Sequence, residues 1–327
     1  MSINNRLIAL LGALVLALTI AACGSGDSTS TSSDTGAAAS GDLIQNNPDN
    51  NGVSLTIGSK NFTEEYILGE IYAQGLEAAG YDVSTDLNLG SEQVALKALK
   101  SGEISGYPEY TSTALTAFFG FAPEEVPGEA QQAFNESTQD FADAGLTAYP
   151  PTPFSSANAV GTLTTTANDL GLTTISDLTD HQDLTLAGSP ECRERIDCLA
   201  GLEKYYGLNG LRDNFTPVDI GLRYEVLDKG DADLSILFTT DAQLFVNPDK
   251  YTLLEDDKHV LPAGNVIFIA DQQAAADAGP DFGATIEKVQ SNLTLEVMQE
   301  LNARVDIDKE KPADAAREYL QQFGYIE

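Results

Sequence analysis

The chain has 327 residues, room for two domains at about 150 residues each, and 42% of them are hydrophobic, enough for packed cores and too many for a disordered protein. Seventeen Lys and Arg against 50 Asp and Glu leave a net charge of −33, a surface that repels phosphate backbones and excludes nucleic acid as a partner. Two His and three Cys are too few for a His-rich zinc enzyme. No cofactor is expected, and with no Trp an aromatic cage has to be built from Tyr and Phe.

At the N-terminus Arg6 precedes an uncharged apolar run from Leu7 to Leu18, which continues through Ile20-Ala21-Ala22 to Cys23. The run is shorter than a bilayer span and ends in small residues, so it reads as a secretory signal. Ile20-Ala21-Ala22-Cys23 resembles a bacterial lipobox, in which cleavage leaves Cys23 as the first mature residue and its thiol takes a diacylglycerol. Residues 1–22 are therefore expected to be a lipoprotein signal peptide. Residues 23–52, nearly all Gly, Ser, Thr, Asp and Ala as far as Asp42, should form a disordered tether. The expected location is extracytoplasmic, with a lipid anchor in the cell membrane. Export puts Cys192 and Cys198 in an oxidising compartment, where such a pair commonly forms a disulfide. Two free thiols or a metal pair remain the alternatives, and a metal would need further soft ligands that the neighbouring sequence lacks.

From Val53 the pattern changes. Val53, Leu55 and Ile57 alternate as in a strand, and Ile67, Leu68, Ile71, Tyr72 and Leu76 follow with helical spacing up to Gly80. Tyr81 to Leu89 reads as a second strand, Ser91 caps a helix carrying Val94, Ala95, Ala98 and Leu99, and a third strand begins at Ile104. Strand, helix, strand, helix, strand in that order predicts parallel pairing with right-handed crossovers, hence an α/β sheet. Pro150-Pro151-Thr152-Pro153 reads as a crossover into a second sheet, with strands at Ala159 to Thr162, Leu184 to Ala187, Phe215 to Val218 and Leu234 to Leu237 and helices at Leu199 to Tyr206 and Leu222 to Lys229. After Pro262 come a strand, Val266 to Ala270, and helices around Ile286 to Leu301 and Ala313 to Phe323. This remainder is too small for a third domain. The expected architecture is one discontinuous lobe, 53–153 plus 262–327, around a contiguous lobe, 154–261, with a ligand cleft at a two-crossing hinge.

No Gly-x-Ser-x-Gly elbow, phosphate loop, His-Glu-x-x-His or Gly-x-Gly-x-x-Gly occurs. His181 and His259 belong to no motif, and carboxylate pairs such as Glu64-Glu65 are common in so acidic a chain and indicate no acid–base chemistry. Three segments fall at the carboxyl ends of predicted strands, where clefts of α/β proteins collect ligand contacts. They are Gly58-Ser59-Lys60-Asn61-Phe62-Thr63-Glu64, Gly106-Tyr107-Pro108-Glu109-Tyr110-Thr111-Ser112-Thr113 and Leu237-Phe238-Thr239-Thr240-Asp241.

With Gly221-Leu222-Arg223-Tyr224-Glu225 and Met298-Gln299-Glu300-Leu301-Asn302, these segments resemble, in order over about 53–327, the substrate-binding lipoproteins of osmoprotectant ABC importers. The resemblance implies a type II periplasmic-binding fold, two α/β lobes closing on a quaternary amine such as glycine betaine, choline or carnitine. It also implies delivery to a membrane permease driven by a separate ATPase, without catalysis; a monomer is expected. Such a ligand has no N–H on its ammonium, so cation–π contact to aromatic faces recognises it, and its carboxylate calls for cationic or hydroxyl donors. Of the family's four cage tyrosines, the resemblance puts the first on Tyr110, with Thr113 as a hydroxyl donor. The second falls near Asn158, the third on Phe238 and the fourth near Gly264 or Asn265, so only two positions keep a ring. Lys60 and Arg195 stand where the family has polar partners for the other end of the ligand, and a Cys192–Cys198 bridge would hold the Arg195 loop in shape beforehand. The competing expectations are the same fold tuned to another zwitterion, an amino acid or a bulkier betaine; an extracytoplasmic enzyme on this fold; or a chemosensory partner protein.

Overall fold

The computed structural model describes residues 43–327. The signal peptide, Cys23 and most of the expected tether lie outside the described residues. The tether's expected end at residue 52 is corrected: Ile44 N–H donates to Tyr325 O at 2.9 Å, and a short 3-10 turn Pro48–Asn50 is tied down by Asn50 Nδ2, which donates to Ala79 O at 2.8 Å. These ties are made by asparagine amides and backbone, which apolar periodicity does not register.

Eleven strands of the described residues form two sheets. The first has the order β2–β1–β3–β11–β4, from β1 (Ser54–Gly58), β2 (Asp82–Asp86), β3 (Gly106–Tyr110), β4 (Leu146–Ala148) and β11 (Gly264–Asp271), and β5 (Ser155–Ser156) pairs with β11. The second has the order β10–β6–β9–β7–β8, from β6 (Asn158–Leu163), β7 (Leu186–Gly188), β8 (Phe215–Pro217), β9 (Leu234–Phe238) and β10 (Tyr251–Leu253). The parallel expectation holds for β1 with β2 and β3 and for β7 with β8 and β9. It fails for the return strand, since β11 runs antiparallel to β3, β4 and β5, and β6 runs antiparallel to β9 and β10. The sheets are mixed because each strand that re-enters a sheet from the other sheet needs no helical crossover of fixed hand.

Alternation along β11 shows how the first sheet is buried on both faces. Val266, Phe268 and Ala270 enter one apolar cluster, with α1 (Thr63–Ala78) and the C-terminal helices, while Ile267 and Ile269 enter another, with Leu99 of α2 (Glu92–Lys100), Tyr107 and Phe141. Gly75 lets α1 approach helix Pro280–Gln290, for a Cβ there would lie 2.6 Å from a Val289 methyl. Ser91 stands at the N-terminus of α2 as expected, yet its side chain makes no capping bond. The second expected strand stops at Asp86, before the left-handed Asn88 and Gly90, and the third begins at Gly106, two residues after Ile104. Helix Ala130–Asp143 was not expected from the sequence, and the apolar stretch around Ile286 to Leu301 is two helices broken ahead of Thr294, whose side chain caps the second.

The chain crosses between sheets at Ala157, which separates β5 from β6, and again over residues 254–263, between β10 and β11. The crossings lie side by side, since Ser156 is paired with Gly264. Pro150-Pro151-Thr152-Pro153 runs along β11 just before the first crossing, with Thr152 N–H on Val266 O at 2.8 Å.

Candidate functional site

A cavity of about 80 Å³ opens between the sheets, beside the two crossings. Lys60, Tyr110, Thr113, Asn158, Arg195 and Phe238, distant in sequence, all line it. Gly264 does not. It is buried on β11, where a Cβ would lie 2.4 Å from Ser112 Oγ, so its lack of a side chain lets Ser112, which does line the cavity, close against the strand.

Lys60 follows the end of β1 and is 5% exposed. Its Nζ donates to Glu109 of β3, lies 3.6 Å from Glu65 Oε1 and sits 4.5 Å from the centroid of Tyr110. Burial opposes the lysine charge, but Glu109 and Glu65 outweigh it and hold the ammonium above its ordinary pKa. Glu109 also accepts from Tyr107 Oη at 3.1 Å and from Tyr110 N–H at 2.7 Å. Burial pushes the Glu65 carboxyl up to about 8, with Lys60 opposing and Glu109 reinforcing the shift. Tyr110 donates its hydroxyl to Glu64 at 2.6 Å, so the ring lines the cavity while the hydroxyl is spent behind it. Burial, ahead of the nearby carboxylates Glu64 and Glu65, raises that hydroxyl well above its ordinary value.

On the opposite side Arg195 belongs to a loop closed by the Cys192–Cys198 disulfide, Cα–Cα 5.2 Å. Arg195 Nε donates to Asp197 at 2.8 Å, Nη1 to Glu92 at 3.3 Å and Nη2 to Thr113 at 3.3 Å. Asp197 comes from the same loop; Glu92 and Thr113 come from the first-sheet side, so Arg195 spans the cleft. Burial disfavours its charge, yet Asp197 more than compensates and raises the guanidinium's pKa. Asn158 carries no ring to the cavity and instead donates Nδ2 to Asp197 O at 2.9 Å, bracing the Arg195 loop.

Two of the sequence motifs meet at Phe238. The Arg223 guanidinium stacks over the Phe238 ring, Cζ 4.0 Å from its centroid. It is held there by Ile220 O at 2.7 Å, Ile236 O at 3.1 Å and Asp241 Oδ1 at 2.8 Å. Asp241 Oδ2 accepts from Tyr224 Oη at 3.0 Å and from Phe238 N–H at 2.8 Å. The tail motif reaches the same place: Asn302 Nδ2 donates to Glu64 at 2.8 Å and to Thr240 O at 3.0 Å, joining the two sides.

Sequence reasoning missed Phe62. It stands between the two expected rings, 5.2 Å from Phe238 and 6.2 Å from Tyr110, and completes a row of three aromatics. The signal was present, because Phe62 lies in the same strand-end segment as Lys60. It also missed Glu92 and Asp197 as partners of Arg195, which no local pattern marks. Among the described residues no cluster of three or more His, Cys, Asp or Glu has the makings of a metal site, and no helix is long and apolar enough to cross a membrane.

Two mixed α/β sheets joined by two adjacent crossings, with a charged, aromatic cavity lined from both, define a solute receptor of the periplasmic-binding class. Residues 53–322 match the family described as the substrate-binding domain of the ABC-type glycine betaine transport system, and the chain belongs to that family. It is 31% identical over 284 residues to a glycine-betaine-binding protein of Pseudomonas aeruginosa, covering 84% of this chain and 89% of that one. It is 28% identical over 276 residues to the ergothioneine transport permease/ergothioneine binding protein EgtU of Helicobacter pylori, 83% of this chain but only 48% of that longer one. Among solved structures, a glycine betaine/carnitine/choline ABC transporter protein superposes with a TM-score of 0.65 at 25% identity, over 84% of this chain and all of that one. The chain is thus a solute-binding protein of an ABC importer, a class that works outside the cytoplasm with a permease as partner.

Proposed function

We infer that this protein captures a small zwitterionic quaternary amine, glycine betaine or a betaine with a larger substituent, between its two lobes and hands it to its permease without chemical change. The observation that carries the reading is the row Tyr110–Phe62–Phe238 crossing one cavity whose rim holds Arg195 and the hydroxyls of Ser112 and Thr113. Three ring faces suit a cation that cannot donate a hydrogen bond. Of the five N–H groups of a guanidinium, Arg195 commits four, leaving one on Nη1 for a carboxylate. The lobes 53–153 with 262–327 and 154–261 close about the paired crossings at Ser156 and Gly264. Cys23 anchors the chain to the membrane through lipid, and the chain acts as a monomer.

The bulkier betaine is favoured by a specific feature. Lys60 already occupies a face of Tyr110 and Arg223 a face of Phe238, while Asn158 and Gly264 bring no rings, so less π surface is left for a bare trimethylammonium and more room for a substituent.

Calorimetry against glycine betaine, choline, carnitine, proline betaine and free amino acids tests the reading. Quaternary amines should bind, and Phe62→Ala and Tyr110→Ala should each weaken them roughly two- to thirtyfold, at about 0.5–2 kcal/mol per ring. Tight binding of an ordinary amino acid with none of any quaternary amine would overturn it. For the anchor, Cys23→Ser should leave the protein unprocessed or released; a variant cleaved and retained like the parent would refute lipidation.

A further inference from the structure

Behind the Phe62–Phe238 pair lies a second cavity of about 230 Å³, larger than the first and sharing Asn61, Phe62, Ile220, Arg223 and Phe238 with it. It too is lined from both sides of the cleft, by Thr63, Glu64, Asn302 and Asp306 on one and by Tyr224, Thr240 and Asp241 on the other. Capture of a trimethylammonium and a carboxylate in the first cavity leaves this second chamber without a role.

Its polar groups are unevenly spent. Glu64 accepts from Tyr110 and Asn302, and both oxygens of Asp241 are taken by Arg223, Tyr224 and the Phe238 amide. Arg223 gives three of its five N–H groups to Ile220, Ile236 and Asp241, and the Tyr66 hydroxyl goes to Asn88. Asn302, 4% exposed, keeps an Oδ1 with no partner among the described residues. Asp306 accepts Thr63 Oγ1 on Oδ1 at 2.6 Å, and no hydrogen bond or ion pair of the described residues falls on its Oδ2. The remaining cation, Lys309, is exposed at the mouth and turns its Nζ to the backbone carbonyl of Asp306 at 2.6 Å. Asn302 Oδ1 and Asp306 Oδ2 are therefore unspent acceptors at its lobe-one wall, one of them ionisable, while on the other wall two N–H groups of Arg223 and the Gln243 amide have no hydrogen-bond partner among the described residues. Burial lifts the Asp306 carboxyl above its ordinary range, with the Thr63 bond, Arg223 and Lys309 opposing and Asp241 reinforcing the shift.

We propose that the second chamber is a side-arm subsite, in which Asp306 and Asn302 receive an N–H-bearing cationic arm of a betaine whose trimethylammonium and carboxylate occupy the first cavity. This rests on the betaine reading above and names the class of substituent. A donor arm suits these acceptors, and a carboxylate or phosphate arm at that wall would meet Glu64 and Asp306, with Arg223 already paired to Asp241 and Lys309 exposed at the mouth.

The test compares three probes on the full mature protein: glycine betaine, Nα-trimethyl-lysine, and Nα-trimethyl-norleucine, which has an arm without the terminal ammonium. The parent should bind the lysine betaine about tenfold tighter than the norleucine betaine. Asp306→Asn, which keeps an acceptor for Thr63, should erase that preference while leaving glycine betaine within twofold, so that retained glycine betaine binding also reports a folded variant. Equal affinity of the parent for the two arm-bearing probes overturns the proposal, as does an Asp306→Asn loss shared equally by all three. If no probe binds, the betaine reading falls and the side-arm subsite with it; if glycine betaine binds without discrimination between arms, only the subsite falls.

Discussion

The two walls of the cleft hold their cations by different means. On the first-lobe wall, Lys60 is a compact ammonium over Glu109 and Glu65, all three nearly without solvent. On the second-lobe wall, Arg195 and Arg223 are planar forks, each tied by several directed bonds to a loop or strand end. A buried lysine depends on charge balance beneath it, and a guanidinium depends on the geometry of its acceptors. The first wall is therefore the one that responds to pH and to loss of charge, and the second the one that responds to shape.

The sharpest way to break this contrast is Lys60→Met. It leaves Glu109 buried without its cation, and it should lower unfolding stability by about 3–5 kcal/mol in denaturant titration. A loss below about 1 kcal/mol would mean that the groups beneath do not depend on the lysine charge. The pH profile sharpens the same point. Glu65 has a folded value of about 8 against about 4.3 unfolded, so between these values the folded chain binds more proton. Its contribution is full below the lower value, declines as pH rises, and is gone above about 8. Glu64, raised by burial, acts in the same sense, whereas Lys60 is raised and contributes no loss in this window. Stability should thus fall from pH 5 to 8, and Glu65→Gln should flatten the fall; an unchanged slope would show that Glu65 is ionised throughout.

On the second wall, Arg223→Lys keeps the charge but cannot reach Ile220 O, Ile236 O and Asp241 together or stack flat on Phe238. A drop in stability of about 2 kcal/mol is expected from the lost charged hydrogen bonds, and equal stability of the variant would reduce this wall to a matter of charge as well. Replacing Cys192 and Cys198 by Ser should cost at most about 2 kcal/mol, since the bridge closes a small loop, while ligand affinity falls because the Arg195 loop is no longer pre-ordered. An unfolding midpoint that collapses would assign the disulfide to folding instead. The smallest effect belongs to Thr113→Val, which removes one acceptor from Arg195 across the cleft. It should weaken ligand binding two- to fivefold, about 0.5–1 kcal/mol, with unchanged stability.

Much of the site is legible in the sequence because strand ends carry it. Lys60, Tyr110 and Phe238 each stand at or just past the carboxyl end of a strand; the parallel strands β1 and β3 bring the first two to one edge of the first sheet, and β9 of the second sheet brings Phe238 to the cavity from the other side. Thr113 and Arg195 followed from the family resemblance. Gly264 did not, because a position without a side chain gives no clue whether the backbone faces a cavity or, as here, a neighbouring Ser112. Asn158 lines the cavity through a bond that braces Asp197, a use that depends on a partner 39 residues away.

By itself the sequence determined the alternation of strands and helices, the two sheet-forming stretches, the absence of known catalytic motifs, and three of the segments that supply the cleft, since each of these is written in local period and composition. Only the tertiary structure decided that β11 enters antiparallel between β3 and β4, that Phe62 joins Tyr110 and Phe238 in one row, that Arg195 finds Glu92 across the cleft and that Arg223 finds Asp241. Local period fixes the face on which a side chain emerges, whereas the partner it meets there depends on which distant element packs opposite. For buried charges that partner determines both the cost of burial and the protonation state.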